Sequence, residues 1–232
     1  MLTNQETWLN RLLLNNPKIN LEGTMNKLLK TLSVFIVANL LLIGTLLAEI
    51  RPIVEGSDYE IMGPQGTSSP EVMEFFSYGC GHCYTMEGFV NKFKKDHADI
   101  KFSAVPTDLG HPQWQIYIKA YYIGELLKVL DKSHGKLFHR INVQRKPLSK
   151  EADLKNFFVE LGVAPEKYDK ANKSFALSAK IRKAKQLAKK YRIMGTPTFV
   201  ANKRFKLDNR KLASNEMIEK ALLDLSVIAS KN

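Results

Sequence analysis

Residues 75–89 read FFSYGCGHCYTMEGF, and they hold both cysteines of the chain, Cys80 and Cys83, separated by Gly81 and His82. Two cysteines at this spacing can be a disulfide staple, half of a metal site, or a pair that exchanges electrons with other molecules. A chain of 232 residues buries roughly 70% of its unfolded surface and needs no staple to fold. A loop closed over two residues also removes little unfolded-state entropy. Structural zinc takes four ligands, and the chain has no third cysteine. His97, His111, His134 and His139 are scattered, and only the spacing of His134 and His139 keeps a zinc reading open. Haem attachment needs a histidine directly after the second cysteine, where Tyr84 stands. Iron–sulfur clusters need four thiolates. Electron exchange is the reading that survives this count best.

The flanking pattern gives that reading a structural setting. EVMEFFS (residues 71–77) is apolar nearly throughout and of strand length, which predicts a central strand. Met86, Phe89, Val90 and Phe93 recur at helical spacing and predict a helix from Cys83 to about His97, with Gly88 inside it. IKFSAV (residues 100–105) predicts a second strand, stopped by Pro106. Cys80 then falls between a strand end and a helix start, where free backbone N–H groups and the helix dipole favour a thiolate. Cys83 falls within the first turn, close enough to pair with it. A protonated His82 would favour the anion further; a neutral, exposed His82 with no electronic role is the alternative. Glu74 sits among Val72, Met73, Phe75 and Phe76, where desolvation would raise its pKa, unless it faces a solvated edge.

Outside this βαβ unit, Asp58–Met62 reads as an edge strand, followed by a Gly-, Pro- and Ser-rich turn over residues 63–70. Four helices are predicted between Pro112 and Tyr191. They are marked by Trp114, Tyr117, Ile118 and Tyr121; by Leu137, Phe138 and Ile141; by Leu154, Phe157, Phe158 and Leu161, with Ser149 as N-cap; and by Leu177, Ile181, Ala184, Ala188 and Tyr191. The last of these carries Lys180, Lys183, Lys189 and Lys190 on its other side. That face reads as a solvated surface or as an electrostatic docking surface for anionic lipid or protein. TPTFVANKRFKLD (residues 196–208) predicts a hairpin turning at Asn202-Lys203, and Met217, Ile218, Ala221, Leu222 and Leu225 a closing helix. The fold class is α/β, ordered βαβ, helical insertion, ββα.

The N-terminal part points to export. Lys27 and Lys30 precede the uncharged run Leu32–Ala48, the pattern of a secretory signal peptide at residues 25–48, or of a retained membrane tether. Residues 1–24 fit neither picture, and translation starting at Met25 is the expectation. Export places the cysteines where disulfides persist. The chain carries 35 Lys and Arg against 23 Asp and Glu, a formal net charge of +12, which suits acidic partners, an anionic surface, or simple solubility.

EFFSYGCGHCYTMEGF, followed far downstream by YRIMGTPTFVANKRFKLD, resembles the DsbA-like thiol:disulfide oxidoreductases, thioredoxin-fold proteins with an inserted helical domain. The resemblance runs from about Gly56 to the C-terminus. It implies a thioredoxin-like domain over residues 56–111 and 191–232 and a helical insertion over residues 112–190. It implies that Cys80 is the exposed nucleophile, Cys83 the buried resolving partner, and His82 a tuning residue between them. Glu74 would be the buried acid that moves a proton for Cys83. Pro197 would follow a cis bond facing the cysteines, with Gly81, Gly195 and Thr196 meeting an extended substrate. No cofactor beyond the cysteine pair is implied. The implied partners are reduced or misoxidised exported proteins and a membrane protein that reoxidises the pair in the periplasm, with no nucleic acid. Two positions depart from the usual pattern: Gly81 stands where proline is frequent, and Thr196 where valine is frequent. Both bear on redox potential, so an isomerase or reductase of the same fold is the rival reading. A chaperone or binding module with incidental cysteines is the rival from another class.

Overall fold

The computed structural model describes residues 51–228 apart from Gln65 and Ala213; the expected upstream segment at 1–24 and signal or tether at 25–48 lie outside the described residues. The chain opens with β1 (Tyr59–Ile61) and β2 (Glu71–Phe76). Next come α1 (Gly81–Asp96) and β3 (Lys101–Pro106). A 3₁₀ turn at Pro112–Trp114 leads into α2 (Gln115–Leu126), α3 (Leu130–Asn142) and α4 (Glu151–Glu160). The helical run continues with α5 (Pro165–Asn172) and α6 (Phe175–Lys190). The chain returns through β4 (Thr198–Ala201) and β5 (Phe205–Leu207) to α7 (Asn215–Ile228).

The five strands form one sheet in the order β1-β5-β4-β2-β3. β2 runs parallel to β3 and antiparallel to β4, so the apolar strand before the cysteines lies in the interior of the sheet, and all six of its residues are buried. On one face, Val90 and Phe93 of α1 and Ile218, Leu222 and Leu225 of α7 pack around Val72 and Phe199. On the other, Met73 and Phe75 join Ile118, Phe138, Phe158 and Tyr191 of the helical run in one buried cluster. The helical segment therefore shares its core with the sheet. This is a thioredoxin fold with a helical insertion between β3 and β4.

Four details differ from the sequence reading. The insertion contains a fifth helix, α5: it spans 8 residues, too few for a recurring apolar pattern, and its apolar anchors are only Tyr168 and Ala171. The cap of α4 is Lys150 rather than Ser149, because the Asp153 carboxylate reaches back to accept from the N–H groups of Ser149 (2.9 Å) and Lys150 (3.0 Å). Pro106 does not stop β3 at Val105 but is its last residue, paired with Phe76; no neighbour on its free side needs its missing N–H. α1 begins at Gly81, two residues earlier than its apolar spacing indicates, because Cys80 caps it. The hairpin does turn at Asn202 and Lys203, with φ of 51° and 54°, the left-handed pair that matches the twist of two-residue hairpins.

Candidate active site

The sheet register sets the site. Phe75 of β2 pairs with Thr198 of β4, so the residues leaving β2 and those entering β4 meet at the same end of the sheet. The first group is Ser77–Cys80 and the second is Gly195–Pro197. The Thr196–Pro197 bond is cis, and the Thr196 carbonyl lies 3.3 Å from Cys80 Sγ. Thr198 Oγ1 donates to the Gly195 carbonyl at 2.8 Å, and Asn209 Nδ2 to the Pro197 carbonyl at 2.9 Å, which hold this segment from both sides.

Cys80 is the N-cap of α1, with extended backbone (φ −93°, ψ 112°), and its sulfur accepts the Cys83 N–H at 3.2 Å. A cap normally presents an oxygen to these orphan N–H groups; here a sulfur takes that place, which favours its anion. Cys80 is half-buried and Cys83 fully buried, and both are free thiols. The hydrogen bond from the Cys83 thiol, aided by the Thr196 side chain and the N–H groups of Cys83 and His82, lowers Cys80 from 9.0 to about 6. Burial, followed by the hydrogen bond to Cys80, drives Cys83 upward, far outside the ordinary thiol range. The two sulfurs are thus divided into a thiolate that faces solvent and a thiol kept protonated inside.

Glu74 is buried, not solvated, at 2% exposure. Alternation along β2 puts it on the α1 side of the sheet. Burial first, then the charge of Glu87, raises its carboxyl from 4.5 to about 8, and Oε1 has no hydrogen-bond partner. His82 is exposed. It acts on Cys80 through its backbone N–H, and no hydrogen bond or ion pair engages its ring among the described residues. Its ring lines a cavity of about 520 Å³ together with Gly195, Thr196 and Pro197. Gly81, at the first position of α1, is open: a Cβ there would meet nothing nearer than Asn142 Oδ1 at 4.0 Å. His134 and His139 do not join the cysteines as a ligand set; His134 Nδ1 is 2.7 Å from the Tyr78 hydroxyl. Among the described residues no group of three His, Cys, Asp or Glu could share an ion.

Sequence reasoning missed the grip of the insertion on the cysteine loop. Asn142 Nδ2, at the end of α3, donates to the Tyr78 carbonyl at 2.9 Å. The Tyr78 ring stacks edge-on to Phe138 at 4.9 Å. Gly79 passes so close to Trp114 that a Cβ would lie 2.6 Å from its indole nitrogen. No periodicity marks these residues, because they belong to elements more than 30 positions apart and only packing brings them together.

A capping thiolate with a buried thiol one turn behind it, on a thioredoxin fold, defines a thiol:disulfide oxidoreductase. The comparisons narrow this class. The family described as DSBA-like thioredoxin domain matches residues 115–221. The thiol:disulfide interchange protein DsbA of Pseudomonas syringae pv. tomato is 32% identical over 163 residues, 68% of this chain and 76% of that protein. DsbA of Burkholderia cepacia is 32% identical over 192 residues, 78% of this chain and 87% of that protein. The crystal structure of Pseudomonas aeruginosa DsbA superposes with a TM-score of 0.70 at 27% identity, covering 78% of this chain and 97% of that one. The chain belongs to the DsbA family of thiol:disulfide interchange proteins.

Proposed function

We propose that this protein works in the periplasm as an oxidant of newly exported polypeptides, and that Cys80 is the sulfur they attack. In the disulfide form, a substrate thiolate attacks Cys80 Sγ; the Cys80–Cys83 bond breaks and Cys83 leaves with the electron pair. The Cys83 thiolate is costly in its buried site, and Glu74, neutral below pH 8 by virtue of its burial, is the group suited to protonate it. A second substrate thiolate then attacks the substrate sulfur of the mixed disulfide, and Cys80 departs as the thiolate that its cap stabilises. Two electrons have passed from the substrate dithiol to the enzyme. A membrane partner carrying its own disulfide takes them away in turn. The carbonyl of Thr196, beside Cys80 Sγ, and the groove shared by His82, Gly195 and Pro197 would hold the extended substrate chain.

The observation that carries this reading is the cap geometry of Cys80. Stabilising the thiolate stabilises the dithiol form, which makes the disulfide the stronger oxidant. A reduction potential well above thioredoxin's value of about −270 mV is expected. The test compares two variants with a reduced substrate protein. Cys83→Ser, with Cys80 first charged as a mixed disulfide with glutathione, should accumulate a substrate mixed disulfide at Cys80 as the substrate thiolate displaces glutathione, whereas Cys80→Ser should trap none and lose oxidative refolding activity. Refolding that survives in Cys80→Ser would refute the assignment. Gly81 and Thr196 keep an isomerase in view, and faster rescue of scrambled than of reduced substrate would identify one.

A further inference from the structure

α6 carries six cations, Lys180, Arg182, Lys183, Lys185, Lys189 and Lys190, and no acid. Several are engaged locally. Lys180 pairs with Glu125 at 3.0 Å, Lys185 reaches Asp108 at 3.5 Å, Arg182 covers the exposed Phe175 ring, and Lys190 lies over Tyr191. Lys189 has no acidic or aromatic partner among the described residues, and neither has Arg192, exposed just beyond the helix.

These two cations occupy a particular place. With Lys185 and Met194 they line a cavity of about 490 Å³ between the end of α6 and the loop at residues 106–110. Arg192, Ile193 and Met194 also form the wall of the groove that contains His82, Thr196 and Pro197. One surface therefore runs from the groove beside the reactive cysteine around Met194, which is 91% exposed, into the second cavity. Three acids border this surface, and each is answered: Glu60 by Lys206 at 2.9 Å, Asp108 by Lys185, and Asp208 by Arg210 at 3.0 Å. The charge left over is that of Lys189 and Arg192.

We infer that this second cavity extends the substrate surface and receives an acidic side chain flanking the reacting cysteine of an extended polypeptide, with Lys189 and Arg192 as the specificity-determining residues. The inference rests on Cys80 being the attacked sulfur. Arg192, Ile193 and Met194 line both cavities, so an extended chain, advancing about 3.3 Å per residue, can continue from the groove beside Thr196 onto this shared rim. A concave site joined to the groove suits a peptide carboxylate; a flat bilayer would meet the Met194 ridge before it reached the cations behind it. Lys189 also lies in the last turn of α6, where a cation complements the helix dipole, but that role affects stability and not the choice between substrates.

The test uses the full-length protein in its disulfide form and three dithiol peptides identical except for Glu, Gln or Lys at the positions flanking the attacking cysteine. The single round moves two electrons and two protons from the peptide dithiol to the Cys80–Cys83 pair, and the second-order rate constant of that step is read for each peptide. The acidic peptide is expected to exceed the basic one by about fivefold, the upper range for an exposed ion pair. The ratio should shrink as salt shortens the Debye length from about 10 Å at 0.1 M toward 3 Å at 1 M. Lys189→Gln/Arg192→Gln should bring the ratio to one and Lys189→Glu/Arg192→Glu should invert it. Lys167→Glu/Lys170→Glu, which changes net charge equally on α5, should leave it intact. Because the readout is a ratio, a variant that folds less well still reports. An unaltered ratio in both Lys189/Arg192 variants, or an equal shift in the α5 control, would overturn the inference. So would loss of binding to phosphatidylglycerol vesicles with the peptide ratio unchanged. Failure to oxidise any of the three peptides would strike instead at the oxidoreductase reading itself.

Discussion

Replacing Glu74 with Gln should make the dithiol form of the protein more stable, and increasingly so as pH rises. In the native state the Glu74 carboxyl is held at about 8 by burial, then by the charges of Glu87 and Cys80, against 4.5 in the unfolded chain. Below pH 4.5 both states hold the proton and the substitution has no pH-linked effect. Between pH 4.5 and 8 the unfolded chain releases the proton while the native state keeps it. The native state then binds more protons than the unfolded one, and wild-type stability falls with pH. Integrating between those two values gives a linked loss of about 2 kcal/mol at pH 6 and about 4 kcal/mol at pH 8. Gln does not titrate and escapes it. For a domain of this size 1 kcal/mol moves Tm by about 2–4 °C, so the variant should melt about 10 °C above wild type at pH 8 and level with it, up to a constant offset, at pH 4. Thermal unfolding of both proteins under reducing conditions across pH 4–8 measures this. A difference in Tm that does not change with pH would refute the reasoning, since it would mean that Glu74 titrates alike in the folded and unfolded chain.

Three further outcomes are expected. Thiolate absorbance of the reduced protein should titrate at about pH 6 for Cys80, and Thr196→Val, which removes one of the hydrogen bonds to that sulfur, should move the midpoint upward; a midpoint near 9 in wild type would contradict the cap geometry. Gly81→Pro should stabilise the protein by about 0.4–1 kcal/mol in denaturant titrations. Cys80 already has the extended backbone that a residue before proline adopts, and Gly81 occupies the first helical position, where proline is favoured; a loss of stability would be the contrary result. Gly79→Ala should destabilise by about 1–3 kcal/mol, as overpacking does, because its Cβ would lie 2.6 Å from the Trp114 indole. Trp114 fluorescence should shift in the folded variant, and an unshifted spectrum with wild-type stability would remove the contact from the argument.

Much of the architecture could be read from local pattern. β2 is apolar at four of its six positions because it is covered on both faces, α1 and α6 repeat their apolar residues at helical spacing, and Asn202-Lys203 has the turn chemistry of a hairpin. These signals are local, since each element must present the right face to a core whose position its own residues imply. α5 escaped because two anchors in 8 residues make no period, and the cap of α4 shifted because the Asp153 carboxylate, and not the Ser149 hydroxyl, reaches the free N–H groups.

The site divides along the same line. Local pattern alone places Cys80 and Cys83 one turn apart at the start of a helix behind a buried strand, and Glu74 in an apolar run where its charge is costly. What each of them faces is set by contacts between distant parts of the chain. The β2–β4 register brings Thr196 to within 3.3 Å of Cys80, across 116 residues of chain. Packing of α3 on the cysteine loop brings Asn142 to Tyr78. The closing of α6 against the loop after β3 leaves Lys189 and Arg192 beside the reactive groove without an acid to answer them. The physical reason is range: propensity, capping and periodicity act within about four residues, whereas hydrogen bonding, burial and charge balance act on neighbours in space, which only the folded chain assembles.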